Sequence, residues 1–129
     1  MQRILFFILT LSTGLVFLTG CEPVDNFEGI ARDRYIGAWN CTDKNLKATY
    51  SVEIEADPAN MSQVLIKNFG NIGQHIYATG LVSESRIFVQ DQKVGTLWCE
   101  GEGTLNANTI SWSKYNIGEE DKTATFTRR

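Results

Sequence analysis

From Asp33 to the C-terminus, apolar and polar side chains alternate with a period of two, and helical spacing is nowhere sustained for ten residues. A strand shows alternate residues to the same face, whereas a helix repeats every three or four. This stretch therefore has to fold as sheet. The cleanest run places Ala48, Tyr50, Val52, Ile54 and Ala56 on one face, with Thr49, Ser51, Glu53 and Glu55 between them. Asp57-Pro58-Ala59-Asn60 ends it, because proline presets φ and the Asp carboxylate can bond the backbone two residues on.

Seven further runs stand between similar turn signals. Tyr35 to Thr42 turns Tyr35, Gly37, Trp39 and Cys41 to one side. A third run carries Val64, Ile66 and Asn68 inward, and Gly70-Asn71-Ile72-Gly73 reverses it. A fourth sets Ile76, Ala78 and Gly80 inward, with His75, Tyr77 and Thr79 outward. Arg86 to Gln90 is short, with Ile87 and Val89 inward. Gly95 to Thr104 turns Leu97, Cys99, Gly101 and Gly103 inward and Trp98, Glu100 and Glu102 outward. The seventh run carries Ile110 and Trp112, with 116–121 as a polar loop, and Thr123 to Thr127 turns Ala124 and Phe126 inward. Eight short strands with short connections form an up-and-down meander, and closing it removes aggregation-prone edges. The expectation is an all-β, antiparallel, eight-stranded barrel over 33–129, with an open barrel or a sandwich as the alternative.

The Gly37-x-Trp39 of the first run, with Asn68-Phe69-Gly70 and Gly101-Glu102-Gly103-Thr104, resembles small bacterial lipoproteins with lipocalin-like domains. That resemblance implies a lipocalin-like barrel with Trp39 plugging one end. More weakly, it implies a binding role.

The N-terminal segment has a different character. Arg3 precedes an apolar run from Ile4 to Phe17, and the small residues Thr19 and Gly20 precede Cys21. These are the parts of a secretory signal, and the apolar run is shorter than the roughly 20 residues of a membrane-spanning helix. Leu18-Thr19-Gly20-Cys21 resembles the bacterial lipobox. The resemblance implies cleavage after residue 20, a diacylglycerol on Cys21 Sγ and an acyl chain such as palmitate on the new terminus. Several acyl chains hold far better than one. Glu22, a residue other than Asp after the cysteine, implies sorting to the outer membrane, with the periplasmic and cell-surface faces both open. Residues 21–32 then read as anchor and tether.

The mature chain keeps eleven of the twelve Lys and Arg residues and all fifteen acids, a net charge of −4. That balance argues against nucleic acid and against an anionic membrane as charge-driven partners. With Cys21 lipidated, Cys41 and Cys99 form an even pair in an exported domain. In a meander both lie toward the same end and both point inward, so a disulfide between them is expected. Two buried free thiols are the alternative.

Chemistry-bearing residues are sparse. His75 is the one imidazole and falls on an outer face. Glu53 with Glu55 and Glu100 with Glu102 are carboxylates two apart on strands, suited to calcium or to glycoside chemistry, but they fall where a solvated face needs charge. Glu119-Glu120-Asp121 reads as an exposed loop. There is no triad, phosphate-binding glycine loop or metal-ligand spacing. The expectation is a monomeric, non-enzymatic domain without cofactor or metal, binding a small apolar or amphipathic ligand within the barrel. Trp39, Tyr50, Trp112 and Phe126 would line it. The alternative is an envelope accessory lipoprotein or hydrolase inhibitor acting through its outer face, where Trp98, Tyr77, Phe88 and Leu65 would cluster.

Overall fold

The computed structural model describes residues 31–45 and 47–129. The expected signal and lipobox, with Cys21, lie outside the described residues. The chain is a closed antiparallel barrel of eight strands with one short extra strand. The strands are β1 (Gly37–Asp43), β2 (Ala48–Ala56), β3 (Gln63–Lys67), β4 (Tyr77–Ser83), β5 (Arg86–Val94), β6 (Leu97–Asn106), β7 (Thr109–Ile117), β8 (Glu120–Asp121) and β9 (Ala124–Arg128). Each strand from β1 to β7 pairs with the next in sequence; β9 lies between β7 and β1 and closes the ring, while β8 pairs only with β7. The meander and its closure are as the alternation predicts.

Antiparallel order gathers the loops into two ends. The first end carries residue 36, the 57–62 turn, the β5-side turn at 84–85 and the 107–108 turn. The second carries the connection after β1, the 68–76 loop, the 95–96 turn and the 118–119 turn. The first end is closed by Trp39. Its indole N–H donates to the Tyr35 carbonyl at 2.9 Å, and the Tyr35 hydroxyl donates to the Glu84 carbonyl at 3.1 Å. The Arg128 guanidinium lies 4.2 Å from the Trp39 ring centroid, and it donates to the Ile36 carbonyl at 3.0 Å and to the Arg34 carbonyl. Arg32, the last tether residue by sequence, is already fixed here: its guanidinium donates to the Asp57 and Asn60 carbonyls.

Three elements depart from the alternation. β5 runs on to Val94, because its register with β6 shifts between Val89 and Gln92. A bulge adds an unpaired residue and bends the strand without ending it. β7 likewise runs on to Ile117, past a shift opposite Glu102 and Gly103. Asn68 is not a strand residue: it adopts the left-handed conformation (φ 60°) and opens a one-turn 3-10 segment, Phe69–Asn71.

Candidate functional site

Three of the four side chains expected to line a ligand cavity meet near the second end. Trp112 and Phe126 stack edge to face at 5.1 Å, and the Tyr50 hydroxyl lies 2.9 Å from the Tyr115 hydroxyl. Trp39 is apart from them, at the closed end under Arg128. Two residues that the alternation does not place complete the cluster. Tyr115 is fully buried, 5.4 Å from Trp112 and 6.0 Å from Phe126. Phe69 enters from the 68–76 loop and lies 4.6 Å from Tyr115 and 5.5 Å from Trp112.

The loop that carries Phe69 is fastened over the aromatic cluster. The Gly70 N–H donates to the Tyr115 hydroxyl at 2.7 Å. Gly70 has φ 68°, and a Cβ there would lie 2.4 Å from Ile117 Cδ1, so both conformation and space call for glycine. Asn68 binds the loop to itself and to β2: its amide donates to the Ser51 carbonyl at 2.8 Å and accepts from the Gly73 N–H at 2.9 Å. The opposite wall is equally close. A Cβ at Gly101 would lie 3.0 Å from the Trp112 ring, and one at Gly103 2.9 Å from Ile110 and Ile87. These glycines let β6 approach a large ring rather than leave room for a ligand. One polar atom stands out in this cluster: the Trp112 indole nitrogen is buried with no hydrogen-bond partner.

Beside the aromatics lies a buried polar group. Asp43 is fully buried; its Oδ1 accepts from the Asn45 N–H at 2.9 Å, and its Oδ2 lies 3.7 Å from Lys122 Nζ. The Cys41 thiol interacts with the Tyr50 and Tyr115 hydroxyls, and burial pushes its pKa up to about 11. Burial also raises the Cys99 thiol, and it raises the Tyr50 and Tyr115 phenols. A nucleophilic cysteine needs the opposite shift. The expected disulfide is not formed: Cys41 and Cys99 are both buried free thiols. β1 pairs with β2 and β9, whereas β6 pairs with β5 and β7, so the two thiols point inward from non-adjacent strands into separate surroundings. Cys41 faces the tyrosines and Cys99 the Leu97 carbonyl and the Gly118 backbone.

The outer carboxylates are engaged with cations. Glu100 lies 3.0 Å from Lys114 and accepts from Asn116 at 2.9 Å, which holds its pKa below the usual range. Glu55 pairs with Lys67 at 2.7 Å and Glu102 with Arg86 at 3.9 Å. His75, Glu119, Glu120 and Asp121 are exposed. Among the described residues no group of three His, Cys, Asp or Glu is placed to hold a metal.

Among the described residues, the second end carries three of the four exposed large apolar side chains; the fourth, Met61, stands alone in the 57–62 turn at the first end. Trp98 is 57% exposed, Tyr77 51% and Leu97 40%. Ile72 and Ile76 are half-buried beside them, both 3.5 Å from the Cβ position of Gly95 in the turn that precedes Leu97. Leu97 in turn lies 3.7 Å from the Cβ position of Gly118. The 68–76 loop and the 95–96 and 118–119 turns thus form one rim. Phe88 and Leu65, expected outward, lie on the outer face but are only half-exposed, opposite Leu81 and Thr79 respectively.

Next to this rim the barrel wall changes character. The β4–β5 ladder covers only Leu81–Ser83 against Arg86–Phe88. Beyond it, the Gln92 carboxamide takes the place of a strand. Its Oε1 accepts from the Thr79 N–H at 2.9 Å and its Nε2 donates to the Thr79 carbonyl at 2.9 Å and to the Gln90 carbonyl at 3.0 Å. Comparison of the chain with protein-family models, with curated proteins and with solved structures finds no match.

Proposed function

We propose that this protein is a lipid-anchored, non-enzymatic interaction domain of the bacterial envelope, which meets a partner through the rim at its second end. The observation that carries the reading is the contrast between the two sides of the wall. The aromatic interior is occupied by Phe69, while Trp98, Tyr77 and Leu97 stand in solvent on one rim. Large exposed aromatics are costly to leave in water and are the residue types that dominate interface energies. The test is site-specific photocrosslinking in the native host. A crosslinker at Trp98 is expected to yield a discrete adduct, and one at Ser111, on the outer face of β7, is not. Equal labelling at both positions, or an adduct unaffected by Tyr77→Ser, overturns the reading.

A second reading, a small apolar or amphipathic ligand within the barrel, is favoured by one observation: the buried Trp112 indole N–H without an acceptor. Buried donors are normally satisfied. An apolar ligand bearing one acceptor oxygen would satisfy it, on condition that Phe69 moves out. Native mass spectrometry of the protein taken from its own host tests this directly. A stoichiometric extra mass that leaves on denaturation supports it, and a bare lipidated chain removes it.

A further inference from the structure

We infer that the split between β4 and β5 at the second end is a strand-addition slot, in which an extended segment of a partner polypeptide replaces the Gln92 carboxamide. The inference rests on the interaction reading above and names the partner's chemistry.

Along β4, successive residues turn their N–H and C=O groups to opposite neighbours. The Val82 N–H donates to the Ser62 carbonyl and the Ile76 carbonyl accepts from the Asn68 N–H, so the even-numbered residues face β3. Tyr77, Thr79 and Leu81 face β5. Leu81 finds its partner there in Phe88, after which the ladder stops and β5 bulges between Val89 and Gln92. Bulges bend a strand away from its neighbour and end pairing. The gap is not filled by apolar side chains. It is filled by a primary amide bonded to both the N–H and the C=O of Thr79, each at 2.9 Å. A primary amide has the same donor and acceptor as a peptide unit. Bonded in this way, it stands where a neighbouring strand's peptide would, about 4.8 Å from β4. The stand-in covers Thr79 alone and leaves the Tyr77 end of the slot open toward the rim.

The flanks of the slot suit such a guest. Tyr77 projects outward on β4, and across the gap Trp98 projects outward on β6 beside Lys93, its cross-strand partner on β5. In strand addition, main-chain hydrogen bonds supply affinity and alternate side chains supply selectivity. The guest's outward side chains would lie between the Tyr77 and Trp98 rings, within reach of the Lys93 ammonium. The favoured partner segment is therefore extended, apolar at alternate positions and acidic near its end. Arg32 is held at the opposite end of the barrel by the Asp57 and Asn60 carbonyls, so the guest is assigned to a partner polypeptide.

The experiment uses the full-length lipidated protein in detergent and a fluorescein-labelled peptide of four Thr-Val repeats. A twin peptide N-methylated at every second residue, which cannot form a ladder, is the control. Fluorescence anisotropy is expected to detect the first peptide and to lose the twin by at least tenfold. Hydrogen exchange should slow at Tyr77 and Thr79 when the first peptide binds. Gln92→Ala empties the slot and should tighten binding about tenfold, the worth of a lost competing hydrogen-bond pair. Gln92→Glu keeps the side-chain length but cannot donate to the Thr79 carbonyl. It is expected to shift affinity the same way and stands in if Gln92→Ala fails to fold. Equal binding of the twin, no binding even to the emptied slot, or unchanged exchange at Thr79 overturns the inference. In the native host, loss of the Trp98 crosslink in Tyr77→Ser with an unchanged crosslink in Gln92→Glu removes strand addition alone. A crosslink indifferent to both removes the interaction reading as well.

Discussion

At the residue scale, Phe69 does most to decide what the barrel can hold. It is the loop side chain that reaches Trp112 and Tyr115, and it is fully buried. Phe69→Ala should lower stability by about 3–5 kcal/mol, the range for removing a buried ring, as read from urea unfolding. It should also leave an apolar void that takes up a small aromatic such as benzene, detectable as a rise in Tm with benzene concentration. A loss of under about 1 kcal/mol, as for a surface change, would mean that the ring does not hold the loop in place.

The buried thiol and phenols make a prediction of defined sign. Cys41 is raised from 9.0 to about 11 and Tyr35 from 10.0 to about 12, both chiefly by burial, and Tyr50 and Tyr115 move the same way. Above about pH 9 the unfolded chain gives up protons that the native chain retains, so stability falls as pH rises. Below pH 9 these groups are protonated in both states and their contribution is fully present. The midpoint of urea unfolding should drop between pH 9 and 12, less so in Cys41→Ala. Both thiols should react with Ellman's reagent at pH 8 only after unfolding. Rapid reaction of the native protein would place them in solvent.

At the element scale, the closed end depends on one strand-terminal side chain. Arg128 of β9 covers the Trp39 ring and bonds two carbonyls of the segment that leads into β1. A lysine keeps the charge but not the planar fork that does both. Arg128→Lys should therefore cost about 1–3 kcal/mol and speed hydrogen exchange through residues 34–36. An unchanged Tm would make the contact incidental. Elements also mark the limit of what the sequence reveals. The alternation in β1 to β4 was readable because those strands pair without slips. It failed in β7, where Trp112 and Tyr115 both face inward although they are three residues apart, because the register shifts opposite Glu102 and Gly103. A bulge flips the phase of every later residue, and so the alternation leaves Tyr115 unplaced and puts Ile117 in the polar loop. A separate slip, between Val89 and Gln92, hides the last four residues of β5. Phe69 was hidden for another reason. No periodicity exists within a loop, and the left-handed Asn68 and Gly70 that aim it into the barrel leave only a turn signature. The Gln92 bridge has no sequence signature, because it depends on where two strands part.

At the scale of the whole molecule, the two ends have different work. The first receives the chain from residue 31, and Arg32 is already fixed to the 57–60 turn. On the lipobox reading, nine residues join Cys21 to this end, a reach of at most about 32 Å. A ten-residue strand such as β6, tilted as barrel strands are, spans about 25 Å along the axis. Bringing the second end down to the membrane would require the tether to run back along the barrel almost fully extended, at high entropic cost. The rim of Trp98, Tyr77 and Leu97 should therefore face away from the anchoring bilayer. Fluorescence quenching of the lipidated protein in vesicles checks this, because Trp98 is the exposed member of the three tryptophans while Trp39 and Trp112 are buried. Acrylamide in the water should quench the signal that disappears in Trp98→Phe, and brominated acyl chains in the bilayer should leave that signal intact. Quenching by the brominated lipid would instead seat the rim in the membrane. The aromatics would then be interfacial anchors beside Lys93 and Lys67, and the partner of this end would be lipid rather than protein.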